Sequence, residues 1–299
     1  YFLHKNSNSN INNIITHFLQ KKWCIICRMN RFTCILQILL MSCFSVLIAQ
    51  EKTGAITLSY SGSTGYYLVE RSNWSRYDNE KYTGLTHRET RASIGCTGTS
   101  DKGSRFSGTF FVLEETLKDM SRTARFIDEV VESTFIITPE GTMLFVKDSG
   151  YPQFRSFPVY PSDPVRPGDR WQAEGTRVVD PKNNGKRTFL PILVEYRFAG
   201  EEQYNGQAIW RIKAKYATRL DKYSKKKTDD PDLANATGTH DADILVSVDT
   251  GAAIMILDRL DETFSYSDGS SVRFRGSTAL FTEASIPVVR ADLAKNLLE

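Results

Sequence analysis

From residue 50 onward apolar and polar positions alternate with a period of two, a pattern that predicts strands rather than helices. The clearest run is Ala208-Ile-Trp-Arg-Ile-Lys-Ala-Lys-Tyr216. Ala208, Trp210, Ile212, Ala214 and Tyr216 fall on one face, with Arg211, Lys213 and Lys215 on the other, as a half-buried strand requires. Residues 193–199 form the run before it, and Asn205-Gly206 stands between the two. Asn-Gly tolerates the positive φ of a tight turn, so these runs are expected to pair as an antiparallel hairpin.

The same grammar recurs at 243–248 and 252–260, separated by Asp249-Thr-Gly251, and at 262–266 and 272–280, separated by Ser267-Asp-Gly269. In the first half, strands are expected at 56–60, 66–69, 86–94 and 105–113, with a further hairpin of 134–137 and 143–146 around Pro139-Glu-Gly141. Residues 113–131 also carry apolar residues at helical spacing (Leu113, Leu117, Met120, Ala124, Ile127, Val131), and a helix across the sheet is preferred there over a pair of exposed strands. A second helix is expected at 291–299. The expected fold is mainly β, made of antiparallel meander sheets in a curved half-barrel or sandwich-like arrangement, with one or two helices. No βαβ alternation is present, which argues against a nucleotide-binding parallel sheet.

Five of the ten prolines lie between Tyr151 and Trp171. A run so poor in amide donors cannot be a central strand and reads as a linker or a long crossing loop. The expected division is therefore 1–49 for upstream residues and an export signal, 50–150 for an N-terminal β-rich domain, 151–170 for a Pro-rich linker, 171–284 for an antiparallel β domain, and 285–299 for the start of a linker or helix to a further domain.

Charge changes this picture at one end only. The chain carries 38 Lys+Arg against 35 Asp+Glu. Five of those cations (Lys5, Lys21, Lys22, Arg28, Arg31) and no acid lie in 1–49, so 33 cations face 35 acids in the rest. The basic excess belongs to the N-terminal segment and gives no argument for nucleic acid. Met29-Asn-Arg followed by the apolar stretch 32–49 and polar Gln50-Glu51-Lys52 has the form of a secretory signal. Cleavage after Ala49 is expected. Leu40-Met41-Ser42-Cys43 also resembles a lipobox, so lipidation of Cys43 is the alternative. Cys24-Ile-Ile-Cys27 has redox or zinc spacing but no second pair, and Cys96 is the one cysteine beyond the segment.

Chemistry is sparse. His87 and His240 are the histidines after residue 50. In a strand His87 and Glu89 share a face opposite Arg88, and Asp241 and Asp243 share a face opposite His240. Neither arrangement supplies the three or four convergent ligands of a metal site. Cys96 sits in Ile94-Gly-Cys-Thr-Gly98 without a nucleophile signature, and no G-x-S-x-G, P-loop, H-E-x-x-H or G-x-G-x-x-G occurs. In Pro164-Val-Arg-Pro-Gly-Asp-Arg-Trp171 a turn anchored by Trp171 is expected, with Arg166, Asp169 and Arg170 as candidate ligand contacts. No catalytic, cofactor-binding or metal-ligating residue is assigned, no cofactor is expected, and ligand-binding residues stay unassigned.

The segment 123–141, the string 164–171 and Tyr216-Ala-Thr-Arg219 resemble the N-terminal region of spirochaete envelope proteins of the outer-membrane-protein-A family. That resemblance implies a non-enzymatic scaffold or spacer, periplasmic and outer-membrane-associated, with cell-envelope partners and peptidoglycan held through a C-terminal domain that this sequence does not contain. Residues 164–171 followed by Gly238-Thr-His-Asp-Ala-Asp-Ile-Leu-Val-Ser-Val-Asp-Thr-Gly251 also look like the curved half-barrels of bacterial lipoprotein carriers. That likeness implies the alternative of a binder or carrier of an apolar, lipid-like ligand.

Overall fold

Long alternating runs build long strands, and those of this protein are longer than the sequence pattern alone suggests. A computed structural model describes residues 54–117, 127–220 and 227–283. Its strands are β1 (Tyr66–Asp78), β2 (Lys81–Ser100), β3 (Gly103–Leu117), β4 (Glu129–Ile137), β5 (Met143–Lys147), β6 (Phe154–Arg155), β7 (Arg170–Val179), β8 (Thr188–Tyr204), β9 (Gln207–Leu220), β10 (Lys227–Thr228), β11 (Leu233–Ser247), β12 (Ala253–Tyr266) and β13 (Ser271–Glu283). The order β5-β4-β3-β2-β1-β13-β12-β11-β9-β8-β7-β6 makes one antiparallel sheet, with β10 added beside β8. Its two outermost strands, β5 and β6, are consecutive in sequence. The chain crosses the remaining gap itself, and the sheet is nearly closed into a barrel.

Turn chemistry sets the hairpins. Asn205 and Gly206 both take positive φ, 51° and 78°, and seat Tyr204 opposite Gln207 in the β8–β9 hairpin. In β9 the inward positions from Trp210 to Leu220 are buried while Lys213 and Lys215 stay exposed, as the alternation requires.

Three expectations change. The described residues contain no helix: 113–117 continue β3 and 129–131 open β4, because these ends pair with β2 and with each other's strand rather than forming an isolated amphipathic helix. The middle of that segment and the helix expected at 291–299 lie outside the described residues. Residues 56–60 are not a ladder strand; Ile56 bridges Val165, and Tyr60 N–H donates to Pro139 O. Third, β1 and β13 are neighbours from Tyr67↔Glu283 to Asp78↔Val272, so the described parts of 50–150 and 171–284 share one sheet.

The Pro-rich stretch is a buried strap. Tyr151 to Pro158 are all buried, and Phe157 packs at 5.6–5.8 Å between ring centroids from Phe154, Tyr196 and Tyr216. Prolines suit a segment with few ladder partners, and aromatic residues give it apolar area to bury against the inner sheet face. At the seam, Arg155 on β6 donates to Asp148 just beyond β5 and lies 4.0 Å over the Phe145 ring.

Candidate functional site: an apolar cavity above a buried ionic belt

The strap fills only part of the space inside the sheet. At one end a cavity of about 570 Å³ remains. Phe154, Phe157 and Tyr160 of the strap line it, facing Leu68 on β1, Ile256 on β12 and Leu280 on β13. The turns at 60–66, 204–207 and 247–253 form its mouth. Tyr160 reaches across and donates its hydroxyl to Gly251 O at 2.6 Å. Gly251 takes φ of 64°, and a side-chain carbon there would lie 1.9 Å from Ser59 O, so only glycine lets the turn meet the N-terminal segment this closely. A pocket of this size, mainly apolar with a few hydroxyls at its rim, has the form of a small-molecule site.

Directly under the cavity floor the inner face becomes charged. Leu68 is followed on the same face by Glu70, Ile256 by Asp258, and Leu280, going back along β13, by Thr278. These belong to a belt across the barrel with Arg88, Glu114, Arg177, Tyr216, Thr218, His240 and Glu262. Below it lies a second apolar cluster that includes Trp74, Leu220, Phe264 and Phe274. Arg177 donates to Glu262 through Nε and Nη2 at 2.9 and 2.6 Å, and Arg88 pairs with Glu114 and donates to Asp180 O at 3.3 Å.

His240 is the centre of the belt. Its Nδ1 lies 2.8 Å from Asp258 Oδ2 and its Nε2 2.9 Å from Glu262 Oε1, and the Tyr216 ring stacks on it at 4.1 Å. Tyr216 donates to Asp258 Oδ2 at 2.9 Å, and Thr218 to Glu262 Oε1 at 2.6 Å. Burial disfavours the imidazolium, but Glu262 and Asp258 outweigh burial, and the His240 pKa is raised. Burial likewise pushes Glu262 up, yet Arg177 and His240 hold its carboxyl well below the usual carboxylate range. Glu70 is the opposite case: burial dominates the attraction of Arg88 and Arg177 and pushes its pKa up to about 7.

Thr218, His240 and Asp258 repeat the order of a hydroxyl–imidazole–carboxylate triad, with Thr218 Oγ1 3.1 Å from His240 Nε2. The resemblance ends at access, because the His240 and Asp258 side chains are 0% exposed. A substrate cannot reach them, and the arrangement acts as an electrostatic tie.

The residues singled out from sequence do not gather at one place. Asp241 and Asp243 do lie opposite His240, where Asp243 pairs with Arg211 and Lys213. His87 Nδ1 contacts Asn73 Oδ1 at 2.8 Å on the outer face, and Glu89 beside it pairs with Arg71. Cys96 is half-buried, with its Sγ 3.7 Å from Gly98 O. In 164–171, Arg166 N–H donates to Asp169 Oδ2, Arg170 pairs with Glu195, and Trp171 donates to Val159 O and stacks on Tyr196. This string anchors the strap. No group of three or more His, Cys, Asp or Glu placed to hold a metal occurs among the described residues. The belt partners Asp258, Glu262, Arg177 and Glu70 are not singled out by any motif. Their one signal in the sequence is a charged residue in the inward register of a long strand, as in Leu68-x-Glu70-x-Ser72-x-Trp74.

No family model matches the chain, and no curated protein matches it. Among solved structures it is similar to a protein described as exported, with a YmcC-like fold, from Bacteroides fragilis: 8% identity, 76% of this chain, 98% of that chain, TM-score 0.31. It is also similar to the hypothetical lipoprotein YmcC of Escherichia coli, at 11% identity over 78% of this chain and 90% of that one, TM-score 0.25. A third is a domain described as outer membrane lipoprotein-sorting from Vibrio parahaemolyticus, at 11% identity over 79% and 92%, TM-score 0.16. These likenesses are too distant to transfer a function, so the functional reading rests on the geometry of this chain.

The resemblance to the outer-membrane-protein-A family is corrected by these findings, and with it goes the basis for a peptidoglycan partner. The strings that carried it are generic β sequence: 129–137 is β4, 164–171 is a turn entering β7, and Tyr216 to Arg219 lie within β9.

Proposed function

We propose that this is an exported, non-enzymatic envelope protein that holds an apolar, lipid-like ligand in the cavity between the strap and strands β1, β12 and β13. The observation that carries the reading is the cavity itself, about 570 Å³ of mainly apolar space between the strap and the sheet. A spacer has no use for such a space, since unfilled apolar volume costs stability in proportion to its size. Export follows from the segment 29–49, and the periplasm is the compartment that fits it. The strap and the belt give the cavity a fixed wall and a fixed floor, so its shape is set before a ligand arrives.

Organic extraction of the protein purified from a bacterial envelope, followed by mass spectrometry, tests the reading. A stoichiometric lipid enriched over a control periplasmic protein is expected. An extract indistinguishable from the control would overturn it.

A further inference from the structure

The cavity lining has a charge composition that limits what can enter. Among the described residues, none facing it is a lysine, arginine or histidine, and its one carboxylate is Asp249, exposed at the mouth on the β11–β12 turn. The basic side chains nearest in register below the floor are already engaged, Arg88 by Glu114, Arg177 by Glu262, and His240 by Asp258 and Glu262. An anion drawn inside would lose its water without gaining a countercharge. One left at the mouth would meet Asp249.

Neutral hydrogen-bonding groups are present instead. Tyr60 and Tyr66 border the cavity, and burial raises both phenols so that they remain protonated donors. Ser247 and Gln207 are linked at 3.1 Å on the mouth side. An ester carbonyl or a hydroxyl can use such partners without a net charge.

Resting on the lipid-binding reading above, we propose that the cavity selects by charge, accepting uncharged lipids such as esterified acyl chains and rejecting the free fatty-acid anion. The test compares matched chains in displacing the apolar fluorophore N-phenylnaphthylamine at pH 8, using monoolein and oleate below their aggregation concentrations. Monoolein should displace it at a concentration about tenfold lower than oleate, and Gln207→Lys, which adds a cation at the mouth, should shrink that gap to about threefold. Oleate displacing as well as monoolein in the unmodified protein, or a gap unchanged in Gln207→Lys, would overturn the charge selectivity while leaving the cavity a lipid site. Failure of the fluorophore and both lipids to bind would overturn the lipid-binding reading itself.

Discussion

Arg177 on β7 and Glu262 on β12 are joined by two hydrogen bonds although three strands stand between them in the sheet. The pair spans the inside of the barrel and shares Glu262 with His240, so one carboxylate serves a buried guanidinium and a buried imidazole. Removing it strips Arg177 of its two side-chain hydrogen bonds and leaves His240 with Asp258 as its one carboxylate. Glu262→Ala is expected to cost about 3–5 kcal/mol in urea or guanidinium unfolding. The double substitution Arg177→Met, Glu262→Leu should recover much of that loss. A Glu262→Ala cost below about 1 kcal/mol would mean that the belt does not tie the barrel.

Glu70 makes a pH-dependent prediction. Its folded pKa of about 7 lies above the ordinary 4.5, so the folded state binds the proton more tightly than the unfolded one. Stability is therefore lost as pH rises from about 4.5 to 7 and stays lost above that window. Glu70→Gln removes this loss, and its advantage over the unmodified protein should grow across the window to about 3 kcal/mol as an upper figure. The contributions of His240 and Glu262 are common to both proteins and cancel in the difference. A difference that is flat from pH 4.5 to 8 would contradict the placement of Glu70 in a dry interior.

Phe157 separates a strap from a linker. A residue in a solvated linker tolerates truncation, whereas Phe157 packs against Phe154, Tyr196 and Tyr216. Phe157→Ala is expected to destabilise by about 3–5 kcal/mol and to lower the thermal midpoint. A loss within about 0.5 kcal/mol would place residues 151–160 outside the core.

The alternation at Ala208–Tyr216 and the Asn205-Gly206 turn make the β8–β9 hairpin legible because strand period and hairpin turns are local properties. Partner choice between distant strands is not local. Nothing in residues 66–78 or 271–283 announces that β1 lies against β13, and so one sheet reads as two domains separated by prolines. The same limit hides the site. Alternation alone turns His240 away from Asp241 and Asp243, but its partners Asp258 and Glu262 come from the adjacent strand and Arg177 from across the barrel. At 113–117 and 129–131 an apolar spacing compatible with a helix is outweighed by pairing with β2 and between β3 and β4.

Whether the cavity takes an apolar ligand is read most simply from the binding of N-phenylnaphthylamine to the unmodified protein and to Met143→Trp, whose larger side chain fills part of the cavity from β5. Saturable binding to the unmodified protein is expected, with about tenfold weaker binding to a Met143→Trp protein that unfolds at a similar temperature. Equal binding to both, or none to either, would mean that the cavity does not hold the ligand.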